Sequence, residues 1–162
     1  KEIVCALPEN VLKIGVFVNE TKENLETIFE ESGLTHLQLH GDETPEFCRT
    51  LRYPVIKAIR VESEADVDKI SEYDCDYFLL DSPNGKYRGG NGTTFDWQLL
   101  KNKDIKREKL ILAGGLTIDN VQEASSLVNP IMVDVSSGVE SAGIKDFKKI
   151  KEFIKNVKGG GN

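Results

Sequence analysis

The chain has 162 residues and a net charge of −6. This length predicts a single domain over residues 1–162, and a composition with 39% hydrophobic and 30% charged residues is typical of a globular protein. No apolar stretch approaches the roughly 18 residues that a membrane span needs, so we expect no membrane association. The basic residues are spread along the chain, which argues against a nucleic-acid partner. An anionic ligand then needs a local binding device, because the overall charge repels it.

Cysteine and histidine occur in patterns that argue against disulfides and metal sites. The cysteines lack C-x-x-C spacing, which favours the reducing cytoplasm, and each is expected to be a small buried hydrophobe: Cys5, Cys48 and Cys75. His36 and His40 are four residues apart, and on a helix they could share a metal ion. Their surroundings are typical of a strand and no third ligand is evident, so we expect no metal.

Most of the chain repeats a short apolar strand followed by a helix, after an opening segment, Lys1–Ala6, that is expected to end an amphipathic helix. The predicted strands are Lys13–Val18, His36–Leu39, Val55–Arg60, Tyr77–Leu80, Leu110–Ala113 and Ile131–Val135. The predicted helices lie around Leu25–Phe29, Pro45–Leu51, Glu64–Ile70, Trp97–Leu100, Asp119–Leu127 and Asp146–Val157. Asn19 or Thr21 is expected to begin the first of these helices and Gly33 to end it.

This repeat, about every 20 to 30 residues, is typical of a parallel α/β sheet, either an open doubly wound sheet or a TIM (β/α)8 barrel. No G-x-G-x-x-G follows the first strand, and polar or small residues end several strands, as at the mouth of a barrel: Asn19, His40, Arg60, Asp81, Gly114 and Ser136. We therefore predict a TIM barrel of which six of the eight strands are present. Strands Lys13–Val18 and Ile131–Val135 would then have open edges, through which self-association or complementation by another chain is expected.

The ends of the last two predicted strands carry the sharpest functional signal. Gly114 and Gly115 follow one strand, and the next is followed by Ser136, Ser137 and Gly138. In barrels these loops often bind phosphate, because glycines let the backbone approach the anion and serines add hydroxyl donors. The alternative is two tight turns that need glycine for a positive φ. We favour the phosphate site, since both loops lie where such a site is expected.

Asp81 follows three apolar residues at the end of its strand. Partial burial disfavours the charged form of a carboxyl group, so this residue can act as a general acid. An aspartate that caps the following loop is an equally good interpretation of this residue alone. The loop Ser82–Asp96 is long enough to be a lid or a wall of the site, or else a disordered insertion, and its glycines are Gly85, Gly89, Gly90 and Gly92.

Seven short motifs run in order along the chain: Val16–Asn19, Leu37–Glu43, Val55–Ala58, Leu80–Asp81, Gly90–Trp97, Gly114–Leu116 and Asp134–Glu140. In this combination they resemble the phosphoribosylanthranilate isomerases of tryptophan biosynthesis. The resemblance implies an enzyme that converts N-(5′-phosphoribosyl)anthranilate to 1-(2-carboxyphenylamino)-1-deoxyribulose 5-phosphate. This Amadori rearrangement needs no cofactor, so none is expected, and the partner is a small phosphosugar substrate.

The resemblance also implies roles for single residues. Asp81 would be the general acid, protonating the furanose ring oxygen as the ring opens. His40 and Asp134 would line the substrate pocket. The phosphate would be held by Gly114, Gly115, Ser136, Ser137 and Gly138.

Two residues of the family pattern are expected upstream of Lys1. They are the general base, a cysteine in a Lys-Ile-Cys-Gly-type motif, and an arginine that meets the anthranilate carboxylate. We therefore expect the first strand–helix–strand unit to be missing and the chain as written to have little activity. The alternatives are another phosphosugar barrel, such as a ribulose-phosphate epimerase or an indole-glycerol-phosphate synthase, and a non-catalytic phosphate-binding fragment or subunit that needs a complementing chain.

Overall fold

The computed structural model describes residues 2–83 and 94–159. Within them the chain has an α/β fold with six parallel strands, which are hydrogen-bonded neighbours in chain order. These strands are β1 (Ile14–Phe17), β2 (His36–Leu39), β3 (Val55–Arg60), β4 (Tyr77–Asp81), β5 (Leu110–Leu112) and β6 (Met132–Val133). Two further strands, β7 (Glu140–Ser141) and β8 (Ile144–Lys145), form an antiparallel hairpin.

Six α-helices occur in the described residues: α1 (Glu2–Ala6), α2 (Lys22–Ser32), α3 (Pro45–Thr50), α4 (Glu64–Asp68), α5 (Val121–Val128) and α6 (Phe147–Gly159). Short 3-10 helices lie at Lys69–Glu72, Trp97–Leu100, Arg107–Lys109 and Ser137–Val139. Among the helices described, none is long and apolar enough to cross a membrane.

The described residues divide into two compact units. Unit 1 comprises the residues up to Ala58 together with Lys69–Phe78, and unit 2 comprises Ile59–Asp68 and the residues from Leu79 onward. The single domain expected over residues 1–162 stays a prediction.

Unit 1 is built on β1, β2 and the first part of β3. Ile14 is paired with His36, and Leu37 with Val55, in parallel register. The apolar side chains of the strands form a core with Leu25 of α2, which is fully buried. As predicted, α2 begins after Thr21 and ends at Gly33, which has a φ of 74°.

Unit 2 contains the end of β4 and all of β5 and β6. The Ala113 amide donates to the Leu80 carbonyl at 2.8 Å, and the Asp134 amide donates to the Leu112 carbonyl at 2.8 Å, so the three strands are linked in order. Leu80 and Leu112 are fully buried. Helices α5 and α6 pack against each other, and α6 buries Phe153. The hydrogen bonds between the strands place the carboxyl ends of β4, β5 and β6 side by side.

Most predicted element ends lie within two residues of the observed ones, but several predictions are wrong. Cys5 was expected to be buried and is exposed, as part of α1, which has no buried residue. Cys48 and Cys75 are buried, as predicted. Val16 of β1 is 60% exposed. The predicted helix at Trp97–Leu100 is a 3-10 helix, and the β7–β8 hairpin escaped prediction because each strand has only two residues.

The start of α2 offers a direct test of this fold. The Thr21 hydroxyl accepts a hydrogen bond from the Asn24 amide at 3.3 Å, so Thr21→Ala should lower the free energy of unfolding by about 1 kcal/mol. Thr27, in the same helix, is exposed and bonds back to the Glu23 carbonyl. Thr27→Ala should therefore stabilise by a few tenths of a kcal/mol, roughly the difference in helix propensity. Urea unfolding of both variants measures the two effects, and equal losses would contradict the assigned cap.

Candidate active site

The loop that follows β5 in unit 2 turns sharply at two glycines. Gly114 has a φ of 80° and Gly115 a φ of 69°, the positive values that the tight-turn interpretation predicts. A side chain at Gly114 would also collide with the backbone nitrogen of Ser82, so the loops after β4 and β5 touch here. This turn geometry agrees with both sequence interpretations, because a phosphate-binding loop also needs a close backbone.

Asn120, which sequence analysis missed, holds this glycine turn. Its Oδ1 accepts from the Thr117 amide at 2.8 Å, and its Nδ2 donates to the Gly115 carbonyl at 3.0 Å. The side chain therefore spans the turn from one end to the other. An asparagine just before a helix was the available signal, but such a residue is usually assigned to helix capping. Asn120 makes no side-chain capping bond to α5.

The loop after β6 lies against the glycine turn. Ser136 is followed by the 3-10 helix Ser137–Val139, and a side chain at Gly138 would collide with the carbonyl oxygen of Leu116. The structure thus brings together the two loops that were assigned to phosphate. The hydroxyls of Ser136 and Ser137 belong to exposed residues, available to a ligand from solvent.

Lys145 fixes the start of this second loop. Its Nζ donates to the Ser136 carbonyl at 2.8 Å and to the Ser136 Oγ at 3.0 Å, and it pairs with Glu140 at 2.6 Å. No sequence pattern singles out this lysine, because the contact depends on the β7–β8 hairpin. The ammonium lies beside the candidate anion site, with its charge offset by Glu140.

Asp81 is the last residue of β4 and is half-buried. Its carbonyl accepts from the Val61 amide at 2.9 Å, and its Oδ1 accepts from the Ser82 amide at 2.8 Å. This second bond is the one that the loop-capping interpretation predicts. Ser82 in turn is buried, and its Oγ accepts from the Phe95 amide at 2.9 Å. Ser82 is therefore in contact with both Asp81 and Gly114, which places Asp81 next to the glycine turn.

Asp134 is exposed and follows the short strand β6. The hydrogen bond from its amide to the Leu112 carbonyl places it in line with the ends of β5 and β6.

The glycines of the predicted lid or wall loop lie outside the described residues: Gly85, Gly89, Gly90 and Gly92. Within residues 2–83 and 94–159, no cluster of three or more His, Cys, Asp or Glu side chains is arranged to hold a metal ion.

His40 lies in unit 1, directly after β2, and is half-buried. Its amide donates to the Phe17 carbonyl at 2.8 Å, and its Nδ1 lies 3.2 Å from the Gln38 Nε2. The side chains of Gln38 and His40 lie on the same side of the strand, as the period of two requires. Gln38, from the same strand, therefore contributes one contact to the imidazole.

A buried ion pair that the sequence did not predict adjoins His40. Lys57 of β3 and Glu43 have side chains that are 4% and 3% exposed, and Lys57 Nζ lies 2.9 Å from Glu43 Oε2. Glu43 also accepts from the amides of Asn19, at 2.8 Å, and Gly41, at 3.0 Å. Burial by itself would raise the pKa of the Glu43 carboxyl, but the hydrogen bonds from Asn19 and Lys57 outweigh it and hold the pKa below the ordinary value of 4.5.

Comparison with known proteins identifies the family. Residues 2–156 match the family model for N-(5′-phosphoribosyl)anthranilate (PRA) isomerase. The chain belongs to the PRA isomerase family. The N-(5′-phosphoribosyl)anthranilate isomerase of Bacillus mycoides (strain KBAB4) is 55% identical to it over 159 residues, which are 98% of this chain and 78% of that protein.

Solved structures of PRA isomerases agree with the fold. The enzyme from Thermotoga maritima has a TM-score of 0.83 and 42% identity, covering 98% of this chain and 78% of that one. Another PRA isomerase structure is a complex with reduced 1-(o-carboxyphenylamino)-1-deoxyribulose 5-phosphate. It has a TM-score of 0.80 and 40% identity, covering 98% of this chain and 77% of that one.

Acid titration tests the buried ion pair. The lowered pKa means that ionised Glu43 contributes stability above about pH 4.5, and this contribution is lost as the pH falls through the folded-state pKa. Glu43→Gln should therefore lower the free energy of unfolding most at neutral pH, with a difference from the unaltered chain that shrinks below about pH 4.5. Urea unfolding across the acidic and neutral range measures it. Glu9→Gln, an exposed control, should change stability by less than about 0.5 kcal/mol at every pH.

Proposed function

We propose that this chain catalyses the isomerisation of N-(5′-phosphoribosyl)anthranilate to 1-(2-carboxyphenylamino)-1-deoxyribulose 5-phosphate in tryptophan biosynthesis. The observation that carries the proposal is the family match over residues 2–156, with a relative of that name at 55% identity. The solved relative that holds a reduced deoxyribulose phosphate supports the same substrate class. We further propose that the six parallel strands belong to a TIM barrel.

The two touching loops of unit 2 are the proposed phosphate site. Its residues are Gly114, Gly115, Ser136, Ser137 and Gly138. The close backbone contact between Gly138 and Leu116 supports this role, since amide donors fixed by main-chain contact need no reorganisation when an anion binds. Lys145 would keep Ser136 in place.

Asp81 is the proposed general acid. In its protonated form it gives a proton to the furanose ring oxygen while the bond from that oxygen to the anomeric carbon breaks, with the anilino nitrogen lone pair stabilising the opened carbon. Asp81 sits at the end of β4, and Ser82 connects it to the proposed phosphate loop, which supports its assignment. His40 and Asp134 are proposed to line the substrate pocket.

We also propose that the protein works in the reducing cytoplasm. Cys48 and Cys75 are buried free thiols, and the hydrogen bond between their side chains lowers the pKa of Cys48 and raises that of Cys75. Two neighbouring thiols that remain unlinked fit a reducing compartment.

The acid assignment is tested by Asp81→Asn, which keeps the shape and removes the proton donor. In a complete enzyme we expect kcat to fall by roughly 10²–10⁴ while KM changes little, because the proton is needed only in the transition state. Asp119→Asn is the matched control, since Asp119 lies on the same unit and has no described role in the site. A variant that keeps more than about half of the normal kcat would remove Asp81 from the mechanism.

The phosphate assignment is tested at Gly138. A methyl group there must displace the Leu116 carbonyl, so Gly138→Ala should raise KM roughly tenfold and weaken inhibition by inorganic phosphate by a similar factor. Gly159→Ala is the control, because nothing lies within 4 Å of a methyl group added there. An unchanged KM with a reduced kcat would place the phosphate elsewhere.

A further inference from the structure

The buried ion pair between Lys57 and Glu43 is surrounded by hydrogen-bond partners for both charged groups. Lys57 Nζ donates to the Leu39 carbonyl at 3.2 Å, to the Gly41 carbonyl at 2.8 Å and to Glu43 at 2.9 Å, which uses all three ammonium protons. The Glu43 carboxylate accepts from Asn19 and Gly41 as well. All three N–H groups of the ammonium thus donate to acceptors within unit 1.

The partners of this pair surround one residue. Leu39 and Gly41 are the chain neighbours of His40 on either side, and both of their carbonyls bind Lys57. Glu43 holds the Gly41 amide and, through Asn19, the segment after β1. The Asn19 Oδ1 in turn accepts a bond from the Asp42 amide at 2.7 Å. Lys57 therefore fixes the peptide unit before His40 through the Leu39 carbonyl, and Glu43 fixes the unit after it through the Gly41 amide.

We propose that Lys57 and Glu43 are positioning residues that set the orientation of His40 for substrate. Neither side chain is exposed enough to reach a ligand, so the pair acts through His40. The inference rests on the proposed function in one respect, that His40 contacts the phosphosugar substrate.

Stability alone does not explain why a buried ion pair stands here. Removing two charges from water costs nearly as much as their attraction returns, and uncharged residues of similar volume often replace such pairs without loss. Removing one partner is costly, because the other is left buried and unpaired. Removing both charges together therefore distinguishes the two roles. If the pair only stabilises the fold, the double variant should behave normally; if the pair positions His40, a defect in substrate binding should remain.

The experiment compares Lys57→Met with the double variant Lys57→Met/Glu43→Gln in the full chain. Both replacements remove a charge and keep a side chain of similar length. The control is Arg52→Met/Glu30→Gln, which removes an exposed ion pair of unit 1, 2.6 Å apart, with the same loss of charges. The readouts are the unfolding midpoint, kcat and KM, and the NMR signals of the imidazole rings at one pH. The sequence has 2 histidines, so His36 is the internal reference.

We expect Lys57→Met to lower the unfolding midpoint by roughly 10 °C and the double variant to recover most of that loss. KM should remain raised roughly tenfold in the double variant, with kcat within about threefold, and the His40 signal should shift while His36 does not. If neither Lys57 variant folds, Glu43→Gln alone is the milder change and should shift the same signal.

A double variant that regains both the midpoint and the normal KM, or in which the His40 signal does not move, would overturn the proposal. Absence of isomerase turnover in a complete enzyme would count against the proposed function, and the His40 signal would still decide whether the pair orients that ring. The control variant should leave KM and both histidine signals as they are.

Discussion

Main-chain contact at the carboxyl ends of the strands is the constraint on which the candidate site of unit 2 depends. At Gly114 and Gly138 the loops lie so close that a methyl group would overlap backbone atoms of Ser82 and Leu116. Because the obstacles are backbone atoms, no change of rotamer can relieve such an overlap. The loops after β4, β5 and β6 therefore keep a fixed relation, and that relation would let amide groups meet an anion without prior rearrangement.

Unit 1 reaches similar rigidity by a different route. Its strand ends are joined through the charges of Lys57 and Glu43, which bind carbonyls and amides at and just after the ends of β1 and β2. Backbone groups need such partners wherever water is excluded. A contact between backbones tolerates only glycine, whereas a charged side chain spans a wider gap and leaves neighbouring positions free to vary.

The sequence predicted what depends on local patterns. Continuous apolar runs such as Leu110–Leu112 indicated the strands, because parallel strands are buried on both faces, and the residues just after them pointed to Asp81 and the two loops. Lys57 could not be found this way, since its partner Glu43 lies 14 residues earlier and no periodicity links them. The exposure of Cys5 and the bracing role of Asn120 likewise depend on which elements pack together, which spacing does not encode.

The two interpretations of Asp81 are compatible once its hydrogen bond is considered. The Ser82 amide occupies Oδ1, so the proton of the neutral acid belongs on Oδ2, where the N–H does not compete with it. The bond that caps the loop thereby fixes the plane of the carboxyl group and selects the oxygen that would give up the proton. A general acid needs that orientation before the substrate arrives, because proton transfer requires the donor within hydrogen-bond reach of the ring oxygen. Loop capping would then be the means by which the proposed acid is aimed.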